Sequence, residues 1–325
     1  MLILKKLGQL VVTVLLVTLF SAFLLELTPG DPVSTLAPLA SDQQREEIRQ
    51  DLGLDESFMN RYTSWLGDFV SGDMGNYYAT NSTRPVADRL WAALPVSLLL
   101  MLYAQVLALV IAIPLGVLTA YRKDTFFDRM SNTTAFAMLA IPNFALGFVL
   151  QYYLAVELGW FKVSGYASPG DSLTEHIQYM VLPTLTLAVG QIAVYMRLLR
   201  TDMIATLQQD FILMARAKGM RSRRILFRHA LRPSSLTLLT VAGLNIGTLI
   251  GGALIVEVVF SLPGMGLLLF EAIARLQLVA FQSMVAIIAT LYVLVNFAVD
   301  ILYTCLLYTS ALSNCAWAMI PIRPE

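Results

Sequence analysis

Long apolar runs separated by polar stretches set the pattern of this chain. A helix needs about 20 apolar residues to cross roughly 30 Å of hydrocarbon. Six segments meet that requirement, at residues 4–27, 95–120, 130–156, 179–196, 236–256 and 283–303. None alternates polar and apolar residues as a membrane barrel strand does, so the pattern predicts an all-α membrane protein with six transmembrane helices. Pro114, Pro142 and Pro183 fall inside these runs. Each predicts a bend, because proline lacks the N–H that closes a helical turn. The first run follows Lys5 and Lys6. It is longer than the roughly 7–15 apolar residues of a secretory signal and lacks a small-x-small ending, so a retained anchor is the better reading.

The placement of charge orients the helices. Between the fourth and fifth runs lie Arg197, Arg200, Arg216, Lys218, Arg221, Arg223, Arg224, Arg228 and Arg232, against Asp202 and Asp210 alone. The second-to-third connection carries Arg122, Lys123 and Arg129, whereas the long first loop is rich in Asp and Glu. Basic connections stay in the cytoplasm, which predicts cytoplasmic termini and a large first external loop. The chain then divides into a first transmembrane helix (1–27), an external loop region (28–94), a core of five more helices (95–303) with a cytoplasmic loop at about 200–232, and a C-terminal tail (304–325). Within the first loop, Ser41 followed by Asp42, Glu46 and Glu47 has the character of a helix start. Residues 58–70, with Trp65 and Phe69, have helical apolar spacing, and residues 267–278 form an amphipathic stretch suited to an interface.

Composition narrows the function. Of 325 residues 57% are hydrophobic and 14% charged, where soluble domains carry about 25% charged. The formal net charge of zero suggests no nucleic-acid partner. Cys305 and Cys315, the two cysteines, match no metal-ligand spacing. No span carries an ionisable residue near its middle: Glu26, Glu157, Glu257 and Asp300 fall at span ends, where water or headgroups solvate them. That speaks against a proton-coupled carrier or a voltage-gated channel, the main rival class; a receptor or assembly scaffold is a weaker rival. There is no Gly-x-x-x-x-Gly-Lys-Ser/Thr loop to cradle a nucleotide, and no catalytic constellation. Energy for uphill transport must enter from another polypeptide.

The cytoplasmic loop is where it would enter. Asp210, Phe211, Met214, Ala215, Arg216, Ala217, Lys218 and Gly219 read as a short helix with a glycine stop, and Ser222 suits the cap of a second helix. Phe211 and Met214 supply apolar knobs, while Ala215 and Ala217 keep the helix thin for a partner's approach. The alternative is a basic loop lying on anionic headgroups. Gly243, Gly247 and Gly251 recur on one helix face, either as intramolecular packing or as a pore-lining or subunit–subunit seam. Asn143, Gln191 and Asn245 are candidates for the translocation path, with interhelical hydrogen bonding the plainer role.

Residues 210–219 resemble the coupling loop of ABC-importer permeases, in the dipeptide/oligopeptide/nickel branch. Pro29, Gly30, Asp31 and Pro32 after the first span, residues 52–55, Gly72, Asp73 and Gly75, and Glu257 followed by Pro263, Gly264 and Gly266 are similar to that branch's B-type permease. The motif departs from the usual signature at Leu213 and Met214, and Pro233 falls early. The resemblance implies a type I permease fold in a bacterial or archaeal plasma membrane. It also implies a homologous second permease, two cytoplasmic ATPases carrying ATP and Mg, an external solute-binding protein and the surrounding lipid as partners, with no cofactor or metal on this chain. Ala215 and Gly219 would form the turn in the ATPase groove, flanked by Arg216 and Lys218. The first and fifth external loops would receive the binding protein. Peptide is the expected cargo, with nickel chelate, glutathione or haem as alternatives. Residues 304–325 are apolar and unlike the family's basic ending, as a frameshift from about residue 304 would leave them; intact-mass measurement of natively expressed protein tests this.

Overall fold

The computed structural model describes residues 2–27, 30–36, 41–79 and 82–318. Among these, five helices are long and apolar enough to cross a membrane, and a bent pair makes a sixth candidate. They are α1 (Leu2–Glu26), α5 (Val86–Tyr121), α8 (Leu173–Leu207), α11 (Leu231–Phe260, entered through Ser222–Arg224, α10, and π-helical turns at Ile225–Ala230) and α13 (Leu278–Ala318). Short helices α2 (Pro32–Leu36), α3 (Asp42–Asp51) and α4 (Phe58–Ser71) fill the first loop, α9 (Asp210–Ala217) precedes α10, and α12 (Met265–Ala274) precedes α13. The backbone of α13 runs through Cys305 and Cys315, and residues 319–325 of the tail lie outside the described residues.

The third run does not form one helix. Expected as a single span over 130–156, it divides into α6 (Phe126–Ala140) and α7 (Asn143–Leu150, continuing as π-helical turns to Glu157), bent by 101°. Pro142 is the cause: the proline ring pushes the preceding residue out of the α region, and Ile141 is extended at ψ 121°. By contrast α5 runs on through Pro114 and α8 through Pro183. Helices α5, α8 and α11 are longer than their apolar runs, at 36, 35 and 30 residues. Arg197, Arg200 and Asp202, read from the sequence as loop charges, are therefore helical residues of α8.

The first loop is built as its capping residues direct. Ser41 caps α3, accepting from Gln44 N–H while the Gln44 side chain accepts from Ser41 N–H. Asp31 accepts from Ser34 N–H at 3.3 Å, and Pro32 takes the first position of α2, where its missing N–H costs nothing. Trp65 and Tyr62 on α4 are buried with Ala22 of α1 and Ala286 of α13. An unexpected antiparallel hairpin, β1 (Asn76–Ala79) and β2 (Ser82–Pro85), follows. Its edge is closed by the buried Gln277, whose side chain accepts from Tyr78 N–H at 3.0 Å and donates to Tyr78 O. The amide side chain thus replaces a missing strand. Burial, with Asp51 3.4 Å from the hydroxyl, pushes the Tyr78 phenol up to about 12.

The chain forms two compact units, and α5, α8, α11 and α13 each contribute a segment to both. The first unit (Met1–Leu102, Asn143–Thr186, Ile250–Val293) has a core of Tyr77, Val86, Leu90, Met265, Leu268 and Met284. In the second (Tyr103–Pro142, Leu187–Leu249, Leu294–Glu325), α5 and α8 meet where Gly116 lies against Leu199 and the Met196 carbonyl.

Candidate functional site

In the second unit, α9 is one short amphipathic helix with an inner and an outer face. Ile212 and Ala215 are buried, the helix packing on the π-helical turns whose Ile225, Leu226 and Ala230 are also buried. Phe211 and Met214 are 45% and 60% exposed, and Leu213, Arg216, Ala217 and Lys218 share that exposure. Asp210 opens the helix, where a carboxylate complements the positive end of its dipole.

Gly219 ends α9 as its position promised. Its φ is +72°, the left-handed conformation open to glycine. Its N–H reaches Arg216 O at 2.9 Å and Met220 N–H reaches Ala215 O at 3.3 Å, the paired bonds of a Schellman turn. Two expectations are corrected here. Ala215 points into its own chain, because i+3 spacing puts it on the face of Ile212, so the outward surface is Phe211, Met214 and Ala217. Ser222 is the first residue of α10 and not its cap; Arg221 holds the cap position without a side-chain bond.

A neutral polar layer also lies in the second unit. Asn245 Nδ2 on α11 donates to Gln191 Oε1 on α8 at 3.1 Å. One turn away, Tyr195 Oη donates to Gln105 Oε1 at 3.1 Å, and Gln105 Nε2 donates to Ala242 O at 3.2 Å. Two of the three path candidates are thus joined to each other. Asn143, at the start of α7 in the first unit, is exposed and does not belong to the layer. The glycine stripe is not one seam: Gly243 abuts Val299, Gly247 is buried, and Gly251 faces open space.

Sequence reading did not foresee the ion pair made by Asp128. Asp128 on α6 is buried and takes both Arg200 Nε and Nη2 at 2.6 Å, with Asn132 Nδ2 at 2.8 Å. Arg200 counted as a topology signal, and it is instead committed to a bidentate bond. The Arg197 guanidinium lies 3.8 Å from the Phe136 ring centroid.

In the first unit the motifs of the first and fifth loops converge on helix ends. Pro29 lies outside the described residues; Asp31 binds Arg49 at 3.3 Å. Gly72 terminates α4, Asp73 accepts from Gly75 N–H at 2.8 Å, and Gly75 packs against Val279. A hydrogen-bonded chain from Trp65 Nε1 through Ser283 Oγ to Met74 O ties that turn to α13, at 3.0 Å per step. Glu257 was expected to be solvated at a span end, and that is corrected: it is fully buried. The turn through Pro263 folds back so that Glu257 Oε2 accepts from Gly266 N–H at 2.6 Å, and Ser97 Oγ accepts from Met265 N–H at 2.8 Å. The N-terminus of α12 replaces the water the carboxylate would otherwise need. A Cβ at Gly264 would strike that carboxylate, and one at Gly266 the backbone of Leu254. The spacing of Glu257 to the glycines was the available signal. Among the described residues no group of three or more His, Cys, Asp or Glu side chains is placed to hold a metal.

Comparison with known proteins places this architecture. Residues 112–307 match the family described as binding-protein-dependent transport system inner membrane component, and residues 1–87 match that family's N-terminal region. The chain is 38% identical to the oligopeptide transport system permease protein AppB of Bacillus subtilis over 290 residues, covering 88% of this chain and 92% of the relative. It is 30% identical to the dipeptide transport system permease protein DppB of Alkalihalophilus pseudofirmus, covering 92% and 96%. In fold it is similar to a chain of the MetNI methionine ABC transporter in an inward-facing conformation, with a TM-score of 0.53 and 16% identity over 66% of this chain and 95% of that one. A multi-pass helical protein with this family match along most of its length belongs to the binding-protein-dependent transport system inner membrane components, the ABC-importer permeases.

Proposed function

We propose that this chain is the B-type permease subunit of an ATP-driven importer of di- and oligopeptides in a bacterial or archaeal plasma membrane. It pairs with a second permease, two cytoplasmic ATPases and an external solute-binding protein. The outward face of α9 supports the ATPase contact. An exposed Phe–Met pair on a short helix is unfavourable in water and suits a partner's groove. Peptide as cargo is supported by the oligopeptide and dipeptide relatives. ATP and Mg belong to the ATPase partners in this reading.

The mechanism follows from rigidity. The Schellman turn and the buried Ile212–Ala215 face hold α9 to the π-helical turns, so a push on α9 moves the base of α11 with it. Closure of the ATPases would then switch the helix bundle between inward and outward access, and solute arrives from the binding protein. The neutral layer of Gln105, Gln191, Tyr195 and Asn245 offers hydrogen bonds without fixed charge, which fits a cargo of amides better than an ion.

Uptake of a labelled dipeptide into vesicles holding the complete importer tests this. Phe211→Asp with Met214→Asp is expected to lower ATP-dependent uptake at least about tenfold, about 1.4 kcal/mol of coupling or more, while the protein still inserts. Uptake by the purified chain alone, driven by an ion gradient, would end the proposal.

A further inference from the structure

The cytoplasmic end of the second unit stands well clear of the membrane. Helix α8 continues from Met196, where its apolar run ends, to Leu207. The continuous helix Ser222–Phe260 likewise starts well ahead of the apolar run that begins at Leu236. At about 1.5 Å per residue the two overhangs reach about 16 Å and about 20 Å beyond the hydrocarbon. Headgroups occupy only about 5–8 Å of that depth on each side.

Arg221, Arg223 and Arg224 lie at the far end of this overhang, all exposed. With Phe227, itself 49% exposed, they line one open groove of about 390 Å³. Between residues 216 and 232 the chain has seven Lys and Arg and no Asp or Glu. None of the three arginines has an ion-pair partner among the described residues. Like charges within one helical turn repel, and the ring beside them is exposed to water. An anionic counterpart with an apolar centre would relieve both costs.

Distance separates the two anionic surfaces that could supply it. Lipid phosphates lie about 10 Å or more back from these guanidinium groups, beyond the screening length of about 8 Å at physiological salt. A soluble protein surface has no such limit. We propose that the groove of Arg221, Arg223, Arg224 and Phe227 is a second docking point for the cytoplasmic ATPase, and that the ATPase surface meeting it is acidic. This docking point presupposes the α9 contact proposed above and lies beside it, since α9 packs on the same π-helical turns. Carboxylates accept the guanidinium fork in pairs, and arginines with an aromatic ring are the side chains on which interface affinity concentrates. Phe211 and Met214 then supply short-range fit, while the arginines supply long-range attraction and orientation.

The test is binding of separately purified ATPase subunits to the permease pair in phosphatidylcholine nanodiscs, at about 50 and about 500 mM salt. Arg221→Gln, Arg223→Gln and Arg224→Gln together should weaken binding at least about tenfold at low salt and flatten its salt dependence. Phe227→Ser should weaken it at both salt concentrations. The stretch keeps its other four cations, which preserve the orientation of the helices. If the triple variant does not insert, Arg224→Gln alone should weaken low-salt binding about threefold. Phe211→Asp with Met214→Asp separates the two contacts in the same assay. If that variant loses the ATPases while the arginine variants bind as the wild type does, with unchanged salt dependence, the second docking point alone is overturned. If it binds them normally, both contacts fall. Retention of phosphatidylglycerol from mixed nanodiscs by the wild type but not by the arginine variants would give the groove to lipid instead.

Discussion

Truncating Glu257 leaves the Gly266 N–H inside a closed turn with nothing to bond. The carboxylate is fully buried, and the helix end it serves has no route to water. Glu257→Ala is therefore expected to destabilise the protein by about 1–3 kcal/mol, the usual penalty for a buried group left unsatisfied. Glu257→Gln keeps an acceptor oxygen of the same reach and should lose much less. Melting temperatures of the two purified variants distinguish a structural acceptor from a charge needed for its own sake. Gly264 and Gly266 belong to the same device, because any side chain there fills the space that the Glu257 carboxylate or the Leu254 backbone occupies. This explains the order Glu257…Pro263-Gly264-Met265-Gly266 better than flexibility does.

Helix α9 is short enough that its ends decide whether it forms at all. Gly219 has open space where a Cβ would go and a φ of +72°, so a substitution there is judged by backbone conformation alone. Asn, which tolerates the left-handed region, should be accepted. Val should cost about 1–2 kcal/mol and loosen the turn that fixes α9 to α11. Vesicle uptake should then fall for Gly219→Val and persist for Gly219→Asn, at equal levels of inserted protein. If the two behaved alike, the rigid turn would have no part in coupling. The bend between α6 and α7 illustrates the same point, since one proline and the residue before it break an apolar run that is otherwise long enough to span.

At the scale of the whole molecule, several buried polar groups find their partner on another helix of the same unit. The Asp128–Arg200 pair is the most consequential, because Asp128 is buried and both guanidinium contacts are short. Asp128→Ala is expected to cost about 3 kcal/mol, the lower end of the range for breaking a buried pair, since Arg200 keeps some exposure. The double replacement Asp128→Leu with Arg200→Met should recover most of that loss in thermal unfolding of the purified protein. Equal destabilisation by the single and double variants would mean that the two side chains do not act as a pair.

How much of this could be read beforehand depends on the range over which each cause acts. The apolar runs, the Ser41 cap, the Gly219 stop and the bend at Pro142 are local: hydration, capping and backbone sterics operate within a few residues, so the chain declares them in order. The membrane class, the helical content and the boundaries of α4 and α9 follow from such terms. Burial of Glu257, the turning of Ala215 toward its own chain, the clamp of Gln277 on Tyr78 and the capture of Arg200 by Asp128 do not. Each depends on which of several compatible polar groups is brought within about 3 Å by packing. Spans of charged or small residues look alike until that choice is made: Arg197 and Arg200 both read as cytoplasmic signals, yet one lies over a ring and the other on a carboxylate. Local chemistry along the chain specified the helices and their ends; long-range contact assigned the polar side chains their partners, because desolvation makes every buried polar group seek one and only folding determines which is within reach.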